Sequence, residues 1–339
     1  MDNYIAKTFQ GLEPVLAEEL RGLGALNVQE LKRAVSFDAD KALLYKANMA
    51  LRTALHILLP LAIEKVRNQD ELYQAVRSIN WNRWFNVNQT YAVRAIVNNS
   101  EAFNTPIIVA LKTKDAIADQ FRQIKGERPS VDKDNPDIEI HIHIFGTQCT
   151  ISIDSSGSSL HRRGYRTGGH PAPLNEVLAA GMVLLSGWDK NSPLVDFMCG
   201  SGTILTEAAL IAANKAPNLR RKKFSFHYWK NFDEELFNKA SGELIEAETE
   251  FDNWIYGSDI EAKSIKEARQ NILAAGVDDM VRISQADFRE RTAPKEPGTV
   301  IINPPYGERI KPADLELMYK EIGDCLKQKY SGYNAWILS

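Results

Sequence analysis

The chain has 339 residues, which is the length of two or three ordinary domains. Hydrophobic residues make up 44% and charged residues 25%, as in globular proteins, which excludes a disordered, collagenous or coiled-coil protein. Lysine and arginine number 41 against 44 acidic residues, a net charge of -3. This balance excludes a strongly basic protein that coats nucleic acid, but it is compatible with a local basic face.

Cysteine usage and apolar runs bear on the compartment. The three cysteines, Cys149, Cys199 and Cys325, show no paired spacing of a disulfide framework or zinc site, which favours a reducing environment. The longest apolar run, 58–63, is interrupted by Pro60 and is far shorter than the ~20 residues that cross a bilayer. The N-terminus lacks the pattern of a signal peptide. We therefore expect a cytoplasmic protein without a membrane partner.

The pattern of residues 1–63 predicts a small α+β domain. In chain order we expect a strand from Tyr4, a helix over 12–23, strands over 27–31 and 34–37, and a helix over 41–57. His56 lies at the edge of the apolar face of that last helix.

Residues 64–160 predict a second α+β domain, with helices near 70–77 and 107–123 and strands over 90–97, 138–145 and 148–153. His141 and His143 alternate with isoleucines, so they share one strand face. Because the sequence suggests no third ligand nearby, a polar strand face is favoured over a metal pair. We predict no metal site.

Two turn-rich segments, 155–159 and 167–171, place a domain boundary near residue 160. We therefore expect domains over 1–63, 64–160 and 161–339. Between the two segments stand Arg162, Arg163 and Arg166. A solvated linker and a hinge that contacts phosphates explain these arginines equally well.

After residue 173, strands and helices alternate, which predicts βαβ units and a parallel, Rossmann-like sheet. The expected elements are helix 175–187, strand 193–197, helix 203–215, strand 254–258, helix 262–275, strands 281–285 and 300–302, helix 315–329 and strand 335–338. The stretch 216–253 must loop out of that sheet. Because the chain stops as a strand ends, we expect further C-terminal strands to be missing.

A Gly200-Ser201-Gly202 turn joins a predicted strand to a predicted helix. Glycines let a ligand approach the backbone, and the following helix presents its N-terminal amides. The turn is not a Walker loop, and Leu205 replaces the third glycine of the dinucleotide motif. It predicts a ligand site of another kind.

Carboxylates follow the next two strands. Asp259 ends one strand, where a carboxylate can accept both ribose hydroxyls of a nucleoside. Asp287 ends the next, where it can bond an adenine amino group while Phe288 packs on the ring.

The segment 303–307, Asn-Pro-Pro-Tyr-Gly, follows an apolar strand, and its prolines fix the backbone at the sheet edge. An exocyclic amine conjugated to a base is a poor nucleophile. The Asn303 Oδ1 atom and the Pro304 carbonyl can each accept one N–H of such an amine, and Tyr306 can stack on a base flipped out of its helix. These residues predict transfer to an exocyclic amine.

Together these elements resemble a class I S-adenosylmethionine-dependent amino-methyltransferase. More closely, segments 163–166, 172–181, 196–203 and 303–309 resemble the THUMP-domain RNA methyltransferases of the bacterial rRNA large subunit methyltransferase K/L type. The resemblance covers nearly the whole chain. It implies a ferredoxin-like domain over 1–63, a THUMP RNA-binding domain over 64–160 and a methyltransferase domain over 161–339. The chain departs from the pattern at Phe197, where proline is frequent, and the family continues past Leu338.

Position by position, the resemblance implies a site for S-adenosyl-L-methionine and a target base. The implied cofactor-binding residues are Leu174, Asn175, Asp196, Cys199, Gly200, Ser201, Gly202, Thr203, Asp259, Ile260, Asp287, Phe288 and Asn303. The implied catalytic residues are Asn303, Pro304 and Tyr306. The predicted RNA contacts are Arg162, Arg163, Arg166, Arg220, Arg221, Lys222 and Lys223, although a solvated charge run explains the last four equally well.

The resemblance implies methylation of the N2 amine of a guanine in 23S rRNA or a large-subunit precursor. The residues themselves leave open a guanine in tRNA, an adenine N6 amine, or an inert RNA-binding assembly factor. The intact residues Asp196, Gly200, Gly202 and Asn303 count against the inert protein.

Overall fold

The computed structural model describes residues 1–166, 174–305 and 312–338. The chain forms two compact units. The N-terminal unit comprises Met1–Asn48, Ala54–Leu160 and Arg221–Ala240, and the C-terminal unit comprises Met49–Thr53, His161–Arg220 and Ser241–Ser339. Two short segments therefore belong to the unit opposite to the one that their position in the chain suggests.

The N-terminal unit is built on a mixed sheet. Its elements are β1 Asp2–Lys7, α1 Glu13–Gly22, β2 Leu26–Leu31, β3 Ala34–Ala39, α2 Lys41–Ala50, β4 His56–Lys65, α3 Gln69–Ser78, β5 Thr90–Asn98, α4 Pro106–Lys125, β6 Ser130–Val131, β7 Ile138–Phe145 and β8 Gln148–Asp154. Among the described strands the order is β2-β3-β1-β4-β8-β7-β5-β6. One continuous sheet thus spans the first two predicted domains.

The alternation along β7 gives this sheet two different faces. Ile138, Ile140, Ile142 and Ile144 are buried, whereas the histidines between them point to the opposite face. The isoleucine face supplies the core of the unit. The other face carries polar side chains from several strands.

The helix predicted over 41–57 ends early, because α2 stops at Ala50 and His56 begins β4. The apolar spacing suggests a longer helix, but the residues from 56 onward form a strand between β1 and β8. His56 lies opposite Lys7 of β1, and Leu58 lies opposite Asp154 of β8. β1 pairs with residues 56–58 and β8 pairs with residues 58–65, so tertiary structure overrides local helix propensity.

The first residues of the predicted linker 155–159 are not solvated. Ser155 and Ser156 are fully buried. The Ser155 N–H donates to the Ile57 carbonyl oxygen at 2.9 Å, and the Ser156 hydroxyl donates to Asn48 Oδ1 at 2.7 Å. Serines that indicated a flexible joint are therefore hydrogen-bonded inside the N-terminal unit.

The C-terminal unit has the predicted parallel sheet. Its elements are α5 Glu176–Leu185, β9 Leu194–Asp196, α6 Thr203–Ala212, β10 Ile255–Asp259, α8 Ala262–Ala275, β11 Val281–Gln285, β12 Thr299–Ile302, α9 Pro312–Lys329 and β13 Asn334–Ile337, while α7 Glu234–Glu246 begins in the N-terminal unit and ends in this one. The described strands run in the order β11-β10-β9-β12-β13, and all neighbours are parallel. Their carboxyl ends therefore meet at one edge.

The stretch 216–253 leaves this sheet as expected, and much of it belongs to the N-terminal unit. Phe226 and Phe237 pack against Tyr45 with ring centroids 4.7 and 5.8 Å apart, and Trp229 meets the edge of Trp84 at 5.3 Å. The aromatic contacts explain why Arg221–Ala240 folds with that unit.

None of the helices in the described ranges is long and apolar enough to cross a membrane.

Arg221 anchors the segment Arg221–Ala240 to the rest of the N-terminal unit. Its guanidinium donates to the carbonyl oxygens of Ser156, Ser158 and Ser159 and lies over the ring of Phe224 at 5.1 Å. We expect Arg221→Ala to lower the free energy of unfolding by about 1–3 kcal/mol. The substitution removes the guanidinium, and the carbonyl oxygens of buried Ser156 and half-buried Ser159 then lose a charged hydrogen-bond donor. Thermal unfolding of the purified protein measures this, with the exposed neighbour Lys222→Ala as control. Equal melting temperatures for the two variants would contradict the role given to Arg221.

Candidate active site

The turn after β9 is shaped by its glycines. Gly202 has a φ of 78°, which favours glycine, and a Cβ there would lie 3.0 Å from the Cβ of Ala268 on α8. Gly200 has a φ of 50°, and a Cβ there would meet no atom within 4 Å. The backbone at Gly200 therefore faces open space, while Gly202 lets α6 begin close to α8.

Hydrogen bonds tie this turn to the end of β10. The Cys199 N–H donates to the Ser258 carbonyl oxygen at 3.0 Å, and the Gly200 N–H donates to Asp259 Oδ2 at 2.9 Å. The second carboxylate oxygen of Asp259 accepts from the Glu261 N–H, also at 2.9 Å. Two peptide groups thus orient the Asp259 carboxylate at the edge of the sheet.

A cavity of about 600 Å³ lies over this edge. It is lined by Leu174, Asp196, Phe197, Met198, Cys199, Gly200, Ser201, Thr203, Ile204, Asp259, Ile260, Glu261, Ser264, Ala286, Asp287, Phe288, Arg289, Asn303, Pro304, Pro305 and Met318. Its volume suits a nucleoside-sized ligand. The strand ends that the sequence singled out therefore open into a single space.

Asp196 is buried at the base of the cavity. Its Oδ1 atom accepts the Met198 N–H at 3.0 Å. Burial, with the nearby Asp259 carboxylate, raises the pKa of Asp196 to about 8, although the Met198 N–H and Arg291 act in the opposite direction. A cationic ligand beside this carboxyl group would favour its charged form and so lower its pKa.

An aromatic pair forms another wall. Phe288 stacks on Phe197 with ring centroids 5.6 Å apart and planes inclined by 20°. Asp287 beside it accepts from the Arg289 N–H and from Arg289 Nη1, both at 2.9 Å. The buried ring of Phe197, at the position where proline is frequent in the pattern, thus supports Phe288 from below.

Asn303 stands where β12 ends. Its Oδ1 atom is buried and has no hydrogen-bond partner among the described residues. Pro304 and Pro305 follow it along the cavity wall. A buried acceptor without a donor is costly, so this amide is arranged to receive a donor from outside the chain. Tyr306 lies outside the described residues.

Comparison with protein families divides the chain into three matched segments. Residues 3–58 match the RlmL ferredoxin-like domain, and residues 66–154 match the THUMP domain. Residues 163–339, more than half of the chain, match the RMKL-like methyltransferase domain of the UPF0020 family. The chain belongs to this RMKL-like methyltransferase family. It is a THUMP-containing class I RNA methyltransferase, and the predicted fold class, with ferredoxin-like and THUMP domains before a Rossmann-like domain, is confirmed.

Three solved structures are similar to this protein over almost the whole chain. SMU.472, provisionally named a methyltransferase and crystallised with SAH, is 30% identical, with a TM-score of 0.89 over 99% of this chain and 89% of that one. A provisionally named methylase from Clostridium difficile 630 is 33% identical, with a TM-score of 0.89 and the same coverage. A protein from Listeria monocytogenes 4b F2365, named as a predicted N6-adenine-specific DNA methylase, is 27% identical, with a TM-score of 0.90 over 99% and 88%.

S-adenosylmethionine is the cofactor of this methyltransferase. The residues present fit it, because the open backbone at Gly200 and the oriented carboxylate of Asp259 face one cavity of suitable size.

The other predicted cofactor residues divide into two groups. Leu174 and Ile260 line the cavity. Asn175 instead caps α5, since its Oδ1 atom accepts the Val177 N–H at 2.9 Å, and Gly202 shapes the turn. Sequence reasoning missed Glu261 and Met318, and a residue on α9 such as Met318 gives no local signal of its place in the wall.

One predicted RNA contact, Arg163, is wrong, and a second, Arg166, has partners within the chain. Arg163 is buried, its Nε atom lies 3.5 Å from Glu207 Oε1, and its guanidinium donates to the Arg52 carbonyl oxygen. Arg166 pairs with Glu176 and donates to the Leu174 carbonyl oxygen and to Thr203 Oγ1. Arginines need partners when buried, so Arg163 stabilises the methyltransferase interior instead of meeting phosphates, whereas Arg166 is half-buried and stays a predicted RNA contact. The hydrogen bonds of Arg166 support two cavity residues.

The basic run 220–223 is also partly structural. Arg220 donates to the Ala274 carbonyl oxygen near the end of α8, and Arg221 makes the contacts described above. Lys222 and Lys223 are exposed, and Lys223 Nζ donates to the Tyr228 hydroxyl at 2.6 Å. Arg162 is exposed as well. Lys222, Lys223 and Arg162 stay predicted RNA contacts.

The raised pKa of Asp196 predicts how the stability of the cofactor-free methyltransferase depends on pH. The folded-state pKa of about 8 exceeds the usual value of 3.8, so the contribution of Asp196 to stability is fully present below 3.8 and is lost as pH rises through 8. Between pH 5 and pH 9 the fall in the free energy of unfolding should therefore be smaller in Asp196→Asn than in wild type by at least about 1 kcal/mol. One pKa unit corresponds to about 1.4 kcal/mol.

Denaturant unfolding across that pH range checks this, with Asp278→Asn, an exposed aspartate, as control. Parallel pH profiles for wild type and Asp196→Asn would contradict the assignment.

Proposed function

We propose that this protein methylates the exocyclic N2 amine of a guanine in 23S rRNA or a large-subunit precursor. The observation that carries the proposal is the buried Asn303 Oδ1 atom, which has no donor among the described residues and lies on the cavity wall. The match to the THUMP and RlmL ferredoxin-like domains supports RNA, and specifically ribosomal RNA, as the substrate.

The chemistry depends on making an aromatic amine nucleophilic. The lone pair of such an amine is delocalised into the base, and hydrogen bonds from its N–H groups to Asn303 Oδ1 and the Pro304 carbonyl oxygen draw electron density back to nitrogen. The prolines hold these acceptors rigidly, so little reorganisation is needed as charge develops. Tyr306 is proposed to stack on the base.

S-adenosylmethionine supplies a methyl group that its sulfonium already activates for in-line displacement. The chain therefore has mainly to align the reactants. We assign the ribose hydroxyls to Asp259, the adenine to Asp287 and Phe288, and the methionine end to Asp196 and the turn at Gly200. As the new N–C bond forms, the sulfur–methyl bond would break and leave S-adenosylhomocysteine, and the positively charged methylated amine would then release its extra proton to water, so no general base is required.

The function is tested with radiolabelled S-adenosylmethionine and two substrates in parallel, unmodified 23S rRNA and total tRNA. Nucleosides are then identified by digestion and mass spectrometry. N2-methylguanosine from rRNA alone supports the proposal, whereas N2-methylguanosine from tRNA alone overturns the assigned RNA. Failure to bind the cofactor at all would indicate an inert assembly factor.

Transfer to the N6 amine of adenine is the second candidate, and the name of the Listeria protein favours it. Asn303 and Pro304 offer acceptors to any exocyclic amine, so they fit both bases. The same digest separates them, because N6-methyladenosine as the labelled product would replace the guanine proposal.

Asn303→Ala should lower turnover at least about 1,000-fold while RNA affinity stays within about twofold of wild type, because the amide acts on the flipped amine and not on the RNA backbone. Single-turnover methylation and filter binding measure the two quantities. Asn334→Ala, an exposed asparagine on β13, is the matched control and should leave both unchanged. A loss of RNA affinity that parallels the loss of turnover would refute the role of Asn303.

Lys222 and Lys223 are proposed to contact RNA phosphates. Reversing both to glutamate should weaken RNA binding and flatten the dependence of log K on log salt, since fewer counterions are released. The control reverses Lys32 and Lys65, exposed lysines at other ends of strands in the same unit, and gives the same change in net charge. Equal slopes for the two double variants would mean that Lys222 and Lys223 are only solvated surface.

A further inference from the structure

Three titratable side chains outside the methyltransferase site converge on the polar face of the N-terminal sheet. His56 is the first residue of β4, Asp154 is the last residue of β8, and His141 lies in β7. These strands are neighbours in the order β4-β8-β7, so the three side chains approach each other across the sheet although they are far apart in the sequence.

The Asp154 carboxylate is the centre of this cluster. Its Oδ2 atom lies 2.7 Å from His56 Nδ1 and 3.2 Å from His141 Nε2. Its Oδ1 atom accepts the N–H groups of Ser156 and Gly157 at 2.7 and 3.3 Å. Backbone donors therefore fix the carboxylate, and Oδ2 faces both imidazole rings.

The hydrogen bonding of the cluster is incomplete. His141 Nε2 is buried and, despite its distance from Asp154, has no hydrogen-bond partner of acceptable geometry among the described residues. Asp154 is fully buried, whereas the side chains of His56 and His141 are 21% and 14% exposed. A small ion can thus reach the cluster from solvent along the two imidazoles.

We propose that His56, His141 and Asp154 bind a divalent transition-metal ion, Zn²⁺ in the first place. Two imidazole nitrogens and one carboxylate oxygen are a characteristic zinc donor set, with a water molecule as fourth ligand. The three ligand atoms lie within 4.8 Å of one another. Zinc bonds of about 2.0–2.1 Å at tetrahedral angles separate ligand atoms by roughly 3.3 Å, so only small side-chain adjustments are required.

The surroundings also favour a cation. Glu139 Oε1 lies 3.7 Å from His141 Nε2 and is itself held by Arg94 Nε at 2.7 Å. Because Nε2 is itself the proposed ligand atom, this second carboxylate is positioned to accept a hydrogen bond from the bound water. Ion binding replaces the hydrogen bond between His56 and Asp154 with two metal–ligand bonds.

The ligands come from two different family segments. His56 lies within the ferredoxin-like match, 3–58, and His141 and Asp154 lie within the THUMP match, 66–154. An ion shared by the three would fasten these segments into one body. The site is therefore a structural clasp within the N-terminal unit, and its chemistry is separate from methyl transfer.

The first test uses untagged, metal-stripped wild-type protein. Calorimetric titration with Zn²⁺ should show one saturable site per chain, and Co²⁺ should give the absorption bands of a tetrahedral complex. Zn²⁺ should also raise the melting temperature, because an ion bound only to the folded state stabilises it. Absence of a saturable site would overturn the proposal and leave a hydrogen-bonded cluster.

The second test compares His56→Gln and His141→Gln with His143→Gln. His143 is an exposed histidine two residues further along β7, so it is the matched control. Each cluster variant should weaken Zn²⁺ binding at least tenfold and lose the Zn²⁺-dependent rise in melting temperature, while the control retains both. Circular dichroism confirms folding, and cofactor binding should be unchanged in all three. Undiminished Zn²⁺ affinity in both cluster variants would place the ion elsewhere and refute the site.

Discussion

The close packing of α6 against β10 is the constraint on which the C-terminal unit depends. A Cβ at Gly257 would lie 2.2 Å from Leu205 Cδ1, so a larger residue there would require the end of the Leu205 side chain to shift. The approach brings the turn at Gly200 within hydrogen-bond distance of Asp259. The ligand cavity thus rests on the packing of the Leu205 side chain against β10 in the core as well as on the loops.

Much of this arrangement could be predicted because parallel sheets place the carboxyl ends of their strands at one edge. The bounds of α8 and β11 agree with the sequence pattern. Asp196 and Asp259 each end a strand that alternation identified, and Asn303 directly follows another. Periodicity identifies a buried strand, and the topology of βαβ units then fixes which of its ends carries a ligand. Three side chains could be brought together without knowledge of any contact between them.

The errors have a common physical cause, which is that local pattern carries no information about distant partners. His56 was placed on a helix because apolar spacing continued, whereas pairing with β1 and β8 made it the start of a strand. Arg163 had the composition of a solvated or phosphate-binding hinge, but Glu207 pairs with it. Residue type does not show whether an arginine is buried or exposed, because that depends on the fold.

Two of the buried polar atoms that make no hydrogen bond among the described residues lie at the two proposed ligand sites. Glu176 is buried but accepts a hydrogen bond from Arg166, so its charge is accounted for within the chain. Asn303 Oδ1 and His141 Nε2 are buried and make no hydrogen bond of acceptable geometry among the described residues, although Asp154 Oδ2 lies 3.2 Å from the imidazole nitrogen. Leaving a polar group in this state costs about 1–3 kcal/mol, which a fold of marginal stability tolerates where a ligand repays it. The chemistry of each atom then suggests the ligand: the amide oxygen beside a cavity requires a donor, and the imidazole nitrogen beside a carboxylate suits a cation.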